Sequence, residues 1–204
     1  MSIPHQASSL VRPIAVAITG GIGAGKSEAL AAFAEHGAAT VSSDEIVHHL
    51  LSTNDEVRRA LLERLGDGIL DAEGLVDRGR IAEIVFADPE ALAFLEALLH
   101  PLVAAEYLTW REGLAELPNP PRVCVTEVPL LYEVGSEASF DKVVVITAPS
   151  KLREQRRRVR ADDRDSRLLA DAEKVKRADY AYMNTGTLDE LDVWVGEVMT
   201  ELAP

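Results

Sequence analysis

The segment Gly20–Ser27, which reads GGIGAGKS, holds the residue types and spacing that bind polyphosphate. Gly20, Gly25, Lys26 and Ser27 fit the pattern G-x-x-x-x-G-K-[ST]. Glycines at this spacing let the backbone turn tightly, so that amides of Gly21, Ile22, Gly23, Ala24 and Gly25 can cradle an anion at a helix N-terminus. Lys26 would carry a mobile positive charge to the β- and γ-phosphates, and the Ser27 hydroxyl is placed for Mg²⁺. The pattern requires a strand before it and a helix after it. The apolar run Ile14–Ile18 and the helix-forming stretch Glu28–His36 supply both, and Glu28 suits the first turn of that helix. A nucleoside triphosphate is the expected ligand.

Two carboxylates fall where strands should end. Ser42, Ser43 and Asp44 follow a short strand expected over Ala38–Val41. Ligands of doubly wound sheets sit beyond the carboxyl ends of the strands, so Asp44 is expected to face the phosphate loop. It is equally well suited to N-cap a helix over Glu45–Leu51, and local sequence does not separate these roles. Glu127 closes a strand expected over Arg122–Val128, and a carboxylate there can hold Mg²⁺ or its waters. Residues 151–167 carry eight Lys/Arg against four Asp/Glu, a net +4 that leaves −17 for the rest of the chain. The spacing of Arg153, Arg156, Arg157 and Arg160 spreads cations over several helix faces, so only a few can meet one ligand. His100 precedes Pro101, which is expected to push it away from helical geometry and toward a cleft. His48 and His49 show no metal-ligand spacing and read as ordinary helix residues.

These groups need a scaffold, and the chain has the material for one. Its 204 residues suffice for one substantial domain with a small helical insert, and 47% are hydrophobic, as in a folded protein. The net charge of −13 argues against a general nucleic-acid or anionic-membrane surface. Cys124 is the single cysteine, which excludes an internal disulfide and suits a reducing cytoplasm. No apolar run is expected to reach the roughly 18–20 residues of a membrane span. Neither a nucleic acid nor a membrane is therefore an expected partner, and a monomer or small homo-oligomer fits equally. Residues 1–12 read as a loose tail.

Strands are expected at Ile14–Thr19, Ala38–Val41, Arg122–Val128, Lys142–Thr147 and Tyr180–Met183. One helix should run from Asp88 to Leu99 and another begin at Pro101, with a turn at Asn184–Gly186 and a closing helix over Leu188–Leu202. The alternation predicts a three-layer α/β fold around a parallel five-stranded sheet. Residues 13–45 and 118–204 would form the nucleotide-binding core and 46–117 a helical insert.

Several stretches together resemble the dephospho-coenzyme A kinase family, relatives of the nucleoside monophosphate kinases. The loop ITGGIGAGKS resembles its LTGGIGSGKS, and Ser42-Ser-Asp44-Glu-Ile its D-A-D-x-I. Asp77-Arg78, Val85-Phe86-Ala-Asp-Pro89 and Leu98-Leu-His-Pro101 follow in the family's order. Glu127-Val-Pro-Leu-Leu-Tyr-Glu133 resembles D-x-P-L-L-x-E. Glu173-Lys174, Arg177-Ala-Asp-Tyr180 and Asn184-Thr-Gly186 resemble the closing E-K-x-x-R-A-D-x-x-x-x-N-x-G.

The resemblance implies transfer of the ATP γ-phosphoryl to the ribose 3′-hydroxyl of dephospho-CoA, with Asp44 as base. It also implies Mg²⁺ at Ser27 and Glu127, and nucleotide contacts from the loop, Glu28, Asn184 and Gly186. The substrate side would include Arg78, His100, Pro129 and Leu130, and a short basic lid over residues 152–167 would supply Arg158 or Arg160, with Arg164 close behind. Ser42 departs from the family, which has an Asp there. Read without the resemblance, the residues leave open another nucleoside or small-metabolite kinase and a nucleotide-dependent binding protein.

Overall fold

The computed structural model describes residues 12–156 and 169–204. Five strands form one parallel sheet in the order β2-β3-β1-β4-β5: β1 (Ile14–Gly20), β2 (Ala39–Ser42), β3 (Val123–Glu127), β4 (Lys142–Thr147) and β5 (Tyr180–Met183). β1 lies in the middle, and Ala15 to Ile18 are fully buried, as a strand covered on both faces requires. The phosphate loop leads into α1 (Lys26–Glu35), which ends where Gly37 takes a positive φ of 89°. α1 and the closing helix α8 (Leu188–Leu202) cover one face of the sheet through Phe33, Leu191, Val195 and Val198. Thr187 and Glu190 form a reciprocal capping box at the start of α8. α6 (Ser150–Arg156) and α7 (Asp171–Arg177) follow β4.

The chain divides into two compact units, one running to Ser42 and resuming from Arg111 to Pro204, the other Ser43–Trp110. The second unit holds α2 (Ser43–Thr53), α3 (Asp55–Leu65), a 3₁₀ turn at Asp67–Ile69, α4 (Arg78–Ala87) and most of α5 (Pro89–Ala115). Asn54, Asp77 and Asp88 each accept two backbone N–H bonds at the start of a helix, which explains the Asp77-Arg78 and Asp88-Pro89 pairs as capping signals. Its buried residues include Leu50, Val57, Leu61, Ile69, Ile81 and Val85.

The structure corrects three expectations. α2 begins at Ser43 directly after β2, so Asp44 stands in its first turn and is not an N-cap. α5 runs without interruption through Pro101, so His100 has helical geometry. Pro101 removes one amide donor to the Ala97 carbonyl, and the Ala- and Leu-rich turns on both sides carry the helix past that single loss. As one 27-residue helix, α5 contains an 18-residue window of mean hydropathy 1.4, long and apolar enough by length and composition to cross a membrane. The expectation that no stretch reaches that length does not hold; 17% of the window is buried.

Phe33 is fully buried where α1, α8 and the sheet meet. Phe33→Ala should lower unfolding stability by about 3–5 kcal/mol, read from urea denaturation.

Candidate active site

The carboxyl ends of β2 and β3 align in one row, and β1 runs two residues past it. Parallel pairing places Glu127 opposite Ser42 on one side and Ile18 on the other. Beyond that row, the phosphate loop turns from β1 into α1, whose first amides have no carbonyl within the helix to bond. Lys26 Nζ donates to the Gly21 carbonyl at 3.3 Å and lies 3.8 Å from Glu127 Oε1. Ser27 Oγ donates to Glu127 Oε2 at 3.2 Å. One carboxylate at a strand end thus faces both the lysine and the hydroxyl of the loop. A hydroxyl and a carboxylate are hard oxygen donors suited to Mg²⁺, which commonly takes one or two protein oxygens and completes its shell from phosphates and water.

The loop is held from β5. Asn184 is buried, and its Nδ2 donates to the Ala24 carbonyl at 3.0 Å. Gly25 has φ 99°, and a Cβ there would stand 2.2 Å from Asn184 Nδ2, so backbone conformation and space both demand glycine. Asn184 also donates its backbone N–H to Thr147 on β4 at 2.7 Å. Gly186 lies against the Glu190 carboxylate of the capping box. Glu28 is exposed in the first turn of α1.

Behind the loop, the segment after β3 is fastened to α7. Thr19 Oγ1 donates to the Pro129 carbonyl at 3.3 Å, Leu130 is half-buried, and Leu131 and Tyr132 are buried. Glu133 Oε1 lies 2.8 Å from Lys174 Nζ and accepts the Leu169 amide at 2.8 Å. Lys174 has no exposed side-chain surface. Burial alone would push the Glu133 carboxyl up, but Lys174 and the Leu169 N–H outweigh it and hold the carboxyl below its ordinary range. Arg177 pairs with Glu137 and stacks 4.3 Å from the Tyr132 ring centre. Asp179 accepts from Lys142 Nζ and the Val143 amide, each at 2.8 Å. These bonds outweigh its partial burial, so its carboxyl too is held below the ordinary range.

In the second unit, Asp44 is exposed in the first turn of α2, Arg78 is exposed at the first position of α4, and His100 is exposed on α5. Arg158, Arg160 and Arg164 lie outside the described residues. The contacts that sequence reasoning missed are those of Asn184 with the loop carbonyl and of Lys174 with Glu133. Both residues fall within the resembling segments, but charge and periodicity alone do not reveal a buried lysine.

A phosphate loop after the central strand of a parallel sheet, with a carboxylate closing the adjacent strand onto its Lys and Ser, defines a P-loop nucleoside triphosphate site. A family model described as dephospho-CoA kinase matches residues 14–190. A dephospho-CoA kinase from Frankia casuarinae is 36% identical over 193 residues, covering 92% of this chain and 82% of the relative. One from Protochlamydia amoebophila is 37% identical, covering 92% and 95%. Among solved structures, a Thermus thermophilus protein superposes with TM-score 0.74 at 30% identity, covering 95% of this chain and 100% of that one. The dephospho-CoA kinase of Campylobacter jejuni gives 0.69 at 28% identity, covering 93% and 96%. This chain belongs to the dephospho-CoA kinase family.

A carboxyl held below its unfolded pKa stabilises the fold above that pKa, and the contribution is lost as pH falls through the folded value. Glu133→Gln strands the buried Lys174 and should cost about 3–5 kcal/mol at pH 7. The gap between wild type and variant, read from urea midpoints, should narrow as pH falls below the ordinary carboxyl range and through the lowered folded-state value, where wild-type Glu133 also loses its charge.

Proposed function

We propose that the chain transfers the γ-phosphoryl of ATP to the ribose 3′-hydroxyl of dephospho-CoA, the last step of coenzyme A synthesis. The observation that carries this reading is the joint approach of Lys26 and Ser27 to Glu127 at the strand ends, in a chain of this kinase family. The amides of the loop and Lys26 bind the β- and γ-phosphates and gather their charge. Ser27 and Glu127 are the groups that would hold Mg²⁺, which when bound neutralises charge on the phosphates and fixes their orientation. Asn184 keeps the loop in the shape that presents its amides.

Asp44 follows Ser42 by two residues, and Ser42 is the register partner of Glu127. In this reading Asp44 accepts the proton of the attacking 3′-hydroxyl, while positioning and charge neutralisation supply the rest of the rate. Arg78 and His100 are the substrate contacts proposed on the helical unit, and Pro129 and Leu130 those proposed on the core. Arg158 or Arg160 would close on the transferred phosphoryl. With a serine at position 42, Glu127 is the single carboxylate of that strand-end pair.

Asp44→Asn should lower kcat by about 10²–10⁴-fold while leaving equilibrium ATP binding within about two-fold. Unchanged turnover would remove Asp44 as the base. Glu127→Gln should raise the Mg²⁺ concentration needed for half-maximal rate, measured by titrating the metal at saturating ATP. An unaltered Mg²⁺ dependence would place the metal elsewhere.

A further inference from the structure

The first turn of the phosphate loop has a neighbour that its motif does not include. α6 lays Arg153 against it. A Cβ on Gly21 would stand 2.2 Å from the Arg153 guanidinium, and one on Gly23 would stand 3.0 Å from the Arg153 carbonyl. Both positions are glycine where this one arginine occupies the space. The guanidinium is in turn 3.4 Å from the carboxylate of Asp171 in the first turn of α7, and both side chains are about three-quarters shielded from solvent. Asp171 Oδ1 itself comes within 3.3 Å of the Gly21 Cβ position.

The chemistry of this arrangement is unusual for a polyphosphate site. A carboxylate stands at the edge of a loop built to gather negative charge, in a protein of net charge −13. Left alone and partly desolvated, Asp171 would repel a triphosphate across a short, poorly screened distance. Arg153 lies between that carboxylate and the loop backbone, and its Nε is buried with no hydrogen-bond partner among the described residues. Among the described residues it is therefore committed to this position by packing and by one ion pair, without a full set of hydrogen bonds.

We propose that Arg153 is a charge-balancing, positioning residue of the donor site. Its guanidinium cancels the Asp171 carboxylate beside Gly21 and packs the Gly21–Gly23 turn, and the balance of this pair sets affinity for the triphosphate. Arg153 acts through Asp171 and the loop and does not itself take up the phosphates. The proposal rests on the phosphate loop being the triphosphate site.

The test is equilibrium binding of a non-hydrolysable ATP analogue with Mg²⁺ to wild type, Arg153→Met, Asp171→Asn and the double variant, with Lys26→Ala as the reference for the loop. Circular dichroism and thermal melting confirm that each variant is folded. Arg153→Met should bind about ten-fold more weakly, because Asp171 is uncovered. Asp171→Asn should bind as tightly as wild type or more tightly, and the double variant should return to within about two-fold of wild type. In turnover, Arg153→Met should raise KM for ATP with kcat little changed.

Equal weakening in both single variants would reduce the pair to a structural brace and overturn the proposal. A double variant as weak as Arg153→Met would mean that the arginine binds phosphate directly, and overturns it too. Wild-type affinity in Arg153→Met overturns it outright. If Lys26→Ala binds the analogue as wild type does, the donor-site reading falls and takes this proposal with it.

Discussion

The whole candidate site depends on the parallel register of three strands. Pairing of β1 with β3, and of β3 with β2, brings Ile18, Glu127 and Ser42 to one edge of the sheet. β1 runs two residues past that row to Gly20, where the phosphate loop begins, and because β3 ends in the row, Glu127 meets Lys26 and Ser27. A shift of one residue would send Glu127 to the opposite face of the sheet. What opposes that shift is close packing of unequal side chains on the two faces, Val16 and Ile18 against Phe33 and Val195 on one and Ala17 against Leu131 and Tyr132 on the other. The core is thus what aligns the chemistry.

A second constraint is electrostatic. An acidic chain that gathers phosphate must keep its carboxylates engaged near the loop. Glu127 faces Lys26, Glu133 is neutralised by the buried Lys174, and Asp171 pairs with Arg153. The last two pairs also attach α7 to the segment after β3 and to α6. Breaking a shielded pair leaves one charge without its partner, which costs more than the intact pair contributes. Such pairs fix the geometry around the loop more than they add to net stability.

Much of this was legible in the sequence for identifiable reasons. β4, β5 and α8 have the expected boundaries because β-branched runs and an amphipathic closing helix are strong local signals. The phosphate loop announced itself through glycine, whose need at Gly25 is conformational and steric at once. Pro101 misled, because a proline's local penalty does not show how strongly the flanking turns favour helix. Asp44 misled in detail, since an Asp at a helix start serves a cap and a first turn alike. The contacts of Asn184, Lys174 and Arg153 were illegible for another reason. Each joins segments far apart in the chain, and only the register of the sheet brings those segments together.

The acceptor identity is the central claim, and one product assay tests it most directly. The enzyme would be supplied with γ-labelled ATP, Mg²⁺ and, in parallel, dephospho-CoA, adenosine or AMP. Label should appear only with dephospho-CoA, in a product that co-migrates with CoA and carries its new phosphate on the ribose 3′ position. Label in adenosine or AMP, with dephospho-CoA left unchanged, would contradict it.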